Sequence, residues 1–342
     1  MTGTIDLQSP LPDLNNSIAI QGPGASNLTI ERAASASFTS AIVTVDFGQT
    51  ASLSGLRVAN GDAGGIFNYG GTLMVSGCTL SGNSADVGGG IVNEGALTVN
   101  GSILSGNSAD FGGGIANLSG TATVANSLFC GNSATEGGGI YNIATLLVTG
   151  SNLSGNSASV RGGGIYNDAE LTVSNSSLLV NSASYQGGGI FNSSAGGLTL
   201  ASSTLCGNSA TYGGGIFNIA DAFFGPVTVR DSTFTGNSAT EGGGIYNGAA
   251  TRLDVRGCTF TASNSASDRG GAIYNAGTAT VQQSALSGNT AGSDGGGIFN
   301  AASGTLTVND STVLSNMAPL GADLYNLGAL TLDDSTVGVI GS

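Results

Sequence analysis

Asp86 and Asp110 hold equivalent places in successive repeats of the chain, GNSADVGG and GNSADFGG. Residues stacked at strand spacing lie roughly 4.8 Å apart, near the roughly 5–5.5 Å between the two carboxyls of a retaining glycosidase. The column does not continue, because Thr135 stands at the same place in the following repeat. A lyase acting on sugar acids would instead need a basic proton acceptor beside acidic, often calcium-binding, groups. The chain has neither Lys nor His, and its 7 basic residues are all Arg, dispersed along the sequence. The aspartates read as two surface carboxylates on a corner. The sequence assigns no catalytic residue, no metal ligand and no cofactor.

Three further columns carry chemistry. The place before each glycine run reads Glu136 then Arg161, and later Glu241, Arg269 and Asp294 in three adjacent repeats. Opposite charges at strand spacing form surface ion pairs worth about 0–1 kcal/mol each, more useful for register than for stability. An aromatic column runs through eight consecutive repeats: Tyr141, Tyr166, Phe191, Phe217, Tyr246, Tyr274, Phe299 and Tyr325. It sits between an apolar residue and an asparagine that both turn inward, so it should turn outward. A long exposed aromatic strip is unusual on a free monomer. A structural ladder on the sheet face is the first reading; the column is also the candidate ligand or partner contact, with sugar stacking as its chemistry. An insertion, IADAFFGPV after Asn218, offers Phe223 and Phe224 as a second contact, or folds them back onto the solenoid. A threonine column (Thr98, Thr123, Thr172, Thr199, Thr228, Thr280, Thr307, Thr331) is interrupted by Leu147 and Asp254. The ordinary preference of Thr for strands accounts for it without an ice-matching array.

A repeated hexapeptide positions these columns. GGGI(Y/F)N and its variants occur eleven times, from AGGIFN at 63–68 to GADLYN at 321–326, at a period of 24 to 29 residues. A short period of this kind marks a stack of small units, none able to bury its apolar face alone. The consensus unit is the hexapeptide, a variable corner, TLTV, a polar turn, STLSGNSA and two free positions. Its short Val, Ile, Leu and Thr runs alternate apolar with polar and are bounded by Gly, Asn and Ser. Three strands and three corners in about 25 residues make one coil of a right-handed parallel β-helix; a propeller blade or leucine-rich repeat would show another period or spacing. The expectation is a single domain over 1–342. Residues 1–61, with weaker runs at 18–20, 28–30, 42–45 and 53–58, form irregular capping coils, and 62–342 form regular ones.

Three apolar columns build the interior: the hexapeptide isoleucine from Ile66 to Ile298, Val75 through Val308, and Leu80 through Val313. Two asparagine columns, Asn68 to Asn326 and Asn83 to Asn316, should hydrogen-bond along the stack. Glycines ahead of the isoleucine permit a tight bend at positive φ.

Composition sets the outer limits. The 60 glycines, 40% hydrophobic residues and 8% charged residues fit many corners and exclude disorder. A net charge of −14 repels nucleic acid and anionic lipid. No apolar run approaches the roughly 18 residues of a membrane span. Cys78, Cys130, Cys206 and Cys258 never fall in adjacent repeats, whereas a disulfide needs Cα atoms within about 7 Å, so all four should be free thiols. MTGTIDLQSP lacks the basic start and apolar centre of a signal peptide. Either the chain is excised from a longer exported protein or it stays in the cytosol; its Ser, Thr, Asn and Gly repeats suit an exterior surface and favour excision.

The motifs GGAI at 270–273 and F-x-x-N at 129–132 and 234–237, with LSGN usual elsewhere, resemble the passenger repeats of chlamydial polymorphic outer-membrane proteins. With GPGA at 22–25, the chain also resembles bacterial secreted pectin-lyase-like repeat proteins. The resemblance implies a secreted or surface-displayed β-helix, often adhesive. The function expected is a non-catalytic extracellular structural or adhesive module: a stalk, surface layer or adhesin. Its partners would be a polysaccharide, a cell-surface molecule or, through open strand edges at the end coils, a second copy. The alternative is a carbohydrate-binding or carbohydrate-active β-helix.

Overall fold

In Ala96–Asn100 the side chains of Leu97 and Val99 are buried while Ala96 and Asn100 face solvent. This is the period-two pattern of a strand with one wet face. Gly101, at φ 55°, then turns the chain toward the next strand. The computed structural model describes residues 3–219, 226–261 and 263–342. Among these there is no helix, and the strands pair in parallel across coils. The chain divides into two compact units, the first running to Ser159 with Gly164–Tyr166, the second taking Val160–Gly163 and all from Asn167.

The first unit is a right-handed parallel β-helix with three strands per coil. Isoleucine-column strands Ile66–Asn68, Ile91–Asn93, Ile115–Asn117 and Ile140–Asn142 stack in register. Thr72–Ser76, Ala96–Asn100, Thr121–Ala125 and Thr145–Thr149 form the valine sheet, and Thr79–Ser81, Ile103–Ser105, Leu128–Cys130 and Asn152–Ser154 the leucine sheet. The N-terminal segment obeys the same order. Gly3–Leu7, Leu28–Arg32 and Arg57–Ala59 extend the leucine sheet, Ile18–Gln21 and Thr50–Ser54 the valine sheet, and Val43–Val45 takes the hexapeptide's place.

The second unit repeats this design. Its isoleucine sheet runs from Ile190–Asn192 through Ile245–Asn247 and Ile273–Asn275 to Leu324–Asn326. Its valine sheet runs from Glu170–Ser174 through Val227–Arg230 and Arg252–Arg256 to Ala329–Asp333. Phe234 and Phe260 in the leucine sheet stack inside the core at 4.5 Å.

The residues read as free positions form a fourth, shorter strand in several coils. Ser108–Phe111 pairs with Ser133–Glu136 in the first unit, and Ser238–Glu241, Ser265–Arg269 and Thr290–Ala291 pair in the second. Asp86 and Asp110 belong to this stretch. The backbone N–H of Asp110 donates to Asp86 O at 2.9 Å, and both side chains are exposed.

Both asparagine ladders form. Within each unit Nδ2 donates to the Oδ1 of the asparagine in the next coil, as in Asn93 to Asn117 at 2.8 Å and Asn237 to Asn264 at 2.9 Å. In the second column Nδ2 also reaches a core-strand carbonyl, for example Leu205 O from Asn237 at 2.9 Å. The amides thus satisfy buried corner groups that would otherwise cost about 1–3 kcal/mol each. A third ladder runs through serines: the N–H of Ser203 donates to Ser232 Oγ, and that of Ser284 to Ser311 Oγ. Cys78 and Cys258 are members of it, donating to Ser102 and Ser284. All four cysteines are free.

The glycines are required at two kinds of place. Gly137 sits at φ 68°, a conformation costly for any side chain with a Cβ. A Cβ on Gly113 would come 2.5 Å from both the Gly138 and the Ser133 carbonyl oxygens of the next coil.

Candidate functional site

In several coils the residue before the glycine corner covers part of the aromatic column. At Phe111, Arg161, Tyr212 and Arg269 its side chain meets the ring of the following coil. In the first unit Phe111 packs on Tyr141 with centroids 5.2 Å apart, and Tyr141 stacks on Tyr166 at 4.8 Å. In the second unit the guanidinium of Arg161 covers Phe191 at 5.3 Å, and that of Arg269 covers Phe299 at 5.2 Å. Tyr212 meets Tyr246 edge-on at 5.7 Å.

This roof corrects the expectation of an exposed aromatic strip. Phe191 is 1% exposed, Phe299 2%, Phe217 4% and Tyr166 8%. Tyr141, Tyr246, Tyr274 and Tyr325 keep intermediate exposure. The column does face away from the core, but it is a second, smaller interior closed by the fourth strand. Phe223 and Phe224 lie outside the described residues.

Within the second unit the column is a continuous stack. Centroid separations are 5.6 Å for Phe191–Phe217, 4.8 Å for Phe217–Tyr246, 4.6 Å for Tyr246–Tyr274, 5.1 Å for Tyr274–Phe299 and 5.8 Å for Phe299–Tyr325. Parallel strands dictate near-parallel rings at about strand spacing, and the offset lets each ring avoid its neighbour's negative face.

Two tyrosines outside that column join it. Tyr212 lies against Phe217 and Tyr246, and Tyr185 meets Tyr212 edge-on at 5.5 Å while remaining 46% exposed. The repeat pattern did not flag them, because they fall in the stretch read as free. The available signal was a tyrosine at nearly the same place in adjacent repeats, in ASYQGGG and ATYGGG.

Charge borders this patch. Ser238 and Ala239 pair with Ser265 and Ala266, but Glu241 pairs with Arg269, so the later strand carries one extra residue. Such a bulge re-aims side chains. Here Arg269 meets Asp294 Oδ2 at 3.3 Å, Asp268 Oδ2 at 3.8 Å and Glu241 Oε1 at 3.9 Å. The expected trio of Glu241, Arg269 and Asp294 forms, and the bulge adds Asp268.

Burial raises the Glu241 carboxyl above its ordinary value; Arg269 opposes the rise and Asp268 reinforces it. Burial also pushes the Tyr246 phenol up, with Tyr274, Glu241, Tyr212 and Tyr185 adding to the rise. Tyr274 moves the same way, first through burial and then through Glu241. Both phenols therefore keep their protons at neutral pH and remain hydrogen-bond donors. Ring edges, neutral hydroxyls, a carboxyl and a guanidinium lie together on one surface. These are the groups that grip a sugar, whose C–H faces pack on rings and whose hydroxyls bond to polar side chains. No group of three or more His, Cys, Asp or Glu among the described residues is placed to hold a metal.

Two segments, 126–143 and 231–248, match the Chlamydia polymorphic membrane protein repeat. Each contains an F-x-x-N and the hexapeptide that follows it. No curated protein matches the chain. Among solved structures, the catalytic unit of a thermostable GH87 α-1,3-glucanase from Streptomyces thermodiastaticus strain HF3-3 is similar at a TM-score of 0.46 and 14% identity. The match covers 100% of this chain and spans 63% of the glucanase unit.

Proposed function

We propose that the chain is a surface-displayed, non-catalytic β-helix module that holds a polysaccharide or a glycosylated cell-surface partner. The observation that carries this reading is the second unit's patch, where Tyr185, Tyr212, Tyr246 and Tyr274 lie beside Glu241 and Arg269. Display on an exterior is supported by the two segments similar to a membrane-protein repeat. A surface of Ser, Thr, Asn and Gly carrying a net charge of −14 suits the same setting.

The alternative, a carbohydrate-active enzyme, draws on one feature. The carboxyl of Glu241 is raised, as a general acid requires. Its neighbours Asp268 and Asp294 are engaged by Arg269, which opposes their use as the second catalytic carboxyl.

Incubating the chain with a panel of polysaccharides, followed by pull-down and product analysis, tests both readings. Retention of at least one polymer without new chain ends is expected. Depolymerisation would establish the alternative.

A further inference from the structure

We infer that the outer face of the valine sheet in the second unit is a separate binding site for an anionic polysaccharide. Arg230 and Arg256 are register partners on adjacent strands, and Gln282 continues their column in the next coil. Arg252 faces outward from the same strand as Arg256. Three of the chain's 7 basic residues, Arg230, Arg252 and Arg256, are thereby gathered on one face although they look scattered in sequence.

These arginines differ from the others in what they touch. Arg32 pairs with Asp62, Arg269 with three carboxylates, Arg57 bonds Ser81, and Arg161 bonds Gln186 over a phenylalanine ring. Arg230, Arg252 and Arg256 are exposed and make no ion pair among the described residues; Arg256 Nε donates only to Gln283 Oε1, at 3.3 Å. Asp254, on the same strand and face, offsets part of their charge, and Asp231 in the turn after Arg230 lies against Gly257.

The face is concave. Thr228, Arg230, Asp254, Arg256, Thr280 and Gln282 line a groove of about 370 Å³ that crosses successive coils. Guanidinium groups recurring at strand spacing, roughly 4.8 Å, suit a polymer with repeated carboxylate or sulfate groups, each able to accept paired N–H bonds. The threonine hydroxyls and the Gln282 amide suit its sugar hydroxyls. The chain's net charge of −14 repels a densely charged polyanion such as nucleic acid. A sparsely charged, hydroxyl-rich polymer is the ligand that the mixed lining favours. This site shares no residue with the tyrosine patch.

The test immobilises lightly carboxymethylated dextran, lightly sulfated dextran and neutral dextran and measures retention of the full chain at about 50 mM salt, where surface charge is weakly screened. Retention on an anionic polymer but not on neutral dextran is expected, falling as salt is raised. The carboxylate and sulfate arms identify which anion is recognised. An Arg230→Gln/Arg256→Gln variant, with an unchanged circular dichroism spectrum, should bind about tenfold more weakly, the loss of charge-assisted bonds. An Arg57→Gln variant, which removes an exposed arginine outside both sites, should bind the anionic polymer as the parent does. Equal binding by the arginine variant, or no binding of the parent to either anionic polymer, would overturn the inference. Neither result would bear on the tyrosine patch.

Discussion

Asn316 and Asp323 close the second asparagine ladder: Asp323 Oδ1 accepts from the Asn316 backbone N–H at 2.9 Å and from its Nδ2 at 3.0 Å. In the preceding coils of the second unit that acceptor is the next asparagine, as in Asn289 on Asn316. Asp323 stands at the third place of the hexapeptide, which is glycine in the earlier copies except for Ala272. A Cβ at Gly297 would meet Asp323 O at 2.4 Å, although Ala272 carries one at the equivalent place with a full coil after it. After Asp323 the coil is cut short. Val337 pairs with Val313, and Ile340, three residues on, pairs with Leu324, which is eleven residues beyond Val313. The omitted segment would have supplied the next asparagine. Asp323 replaces it, and its Oδ2 accepts the Val339 N–H at 2.8 Å.

Replacing Asp323 by Ala should therefore leave three N–H groups without their acceptor. A loss of about 2–4 kcal/mol is expected, from about 1–3 kcal/mol per buried unsatisfied group with partial access to water. Hydrogen exchange should show the loss at the Asn316 and Val339 amides first, because coils in a stack depend mainly on their neighbours. Asp323→Asn, which keeps an acceptor for Asn316, should recover most of it.

Cys258 occupies the serine ladder and is 1% exposed. Cys258→Ser should change stability by less than about 0.5 kcal/mol, since serine fills this place in neighbouring coils. Burial pushes the thiol up from 9.0 to about 11. A group whose folded pKa is raised contributes stability fully present below its unfolded pKa and lost as pH rises through its folded pKa. Urea midpoints of the parent should accordingly fall relative to those of Cys258→Ser between pH 9.0 and about 11. Parallel curves across that window would contradict the assignment.

Arg269 is held by three carboxylates and shields Phe299. Because its side chain is 40% exposed, Arg269→Gln should cost only about 1 kcal/mol or less. Removing the guanidinium should raise the Glu241 carboxyl further, because Arg269 now opposes the effect of burial. The linkage sign makes the variant's deficit larger near about pH 7, where carboxylates are charged, than near about pH 4. Denaturation at both values, with NMR titration of Glu241, measures it.

The coil, its core columns, the asparagine ladders and the four free thiols were legible because each repeats an identical environment every coil. Ile91, Val99 and Leu104 can be assigned to the interior from spacing alone, and all three are fully buried. Relationships that cross from one repeat to the next were not legible. Arg161 covers Phe191 and Tyr212 meets Tyr246, in each case one coil beyond the residue's own hexapeptide. A consensus taken repeat by repeat cannot show that offset. The serine ladder was hidden because Ser203 and Ser232 look like the serines of any polar turn. The arginine face was passed over because Arg230 and Arg256 hold a strand-end place that Asn100, Ala125, Ser174 and Ala201 hold in other coils, so a consensus shows it only as the start of a polar turn.

The central claim is that the second unit's tyrosine patch retains a sugar polymer without cleaving it. Its most direct measurement is calorimetric titration of the best-retained polysaccharide into the parent and into Tyr185→Ser/Tyr212→Ser, which alters the two roofing tyrosines and leaves the buried stack in place. The account predicts binding by the parent, a loss of about 1–3 kcal/mol of binding free energy from two aromatic contacts in the variant, and no new chain ends in either cell. Undiminished binding by the variant, or release of oligosaccharides by the parent, would contradict it.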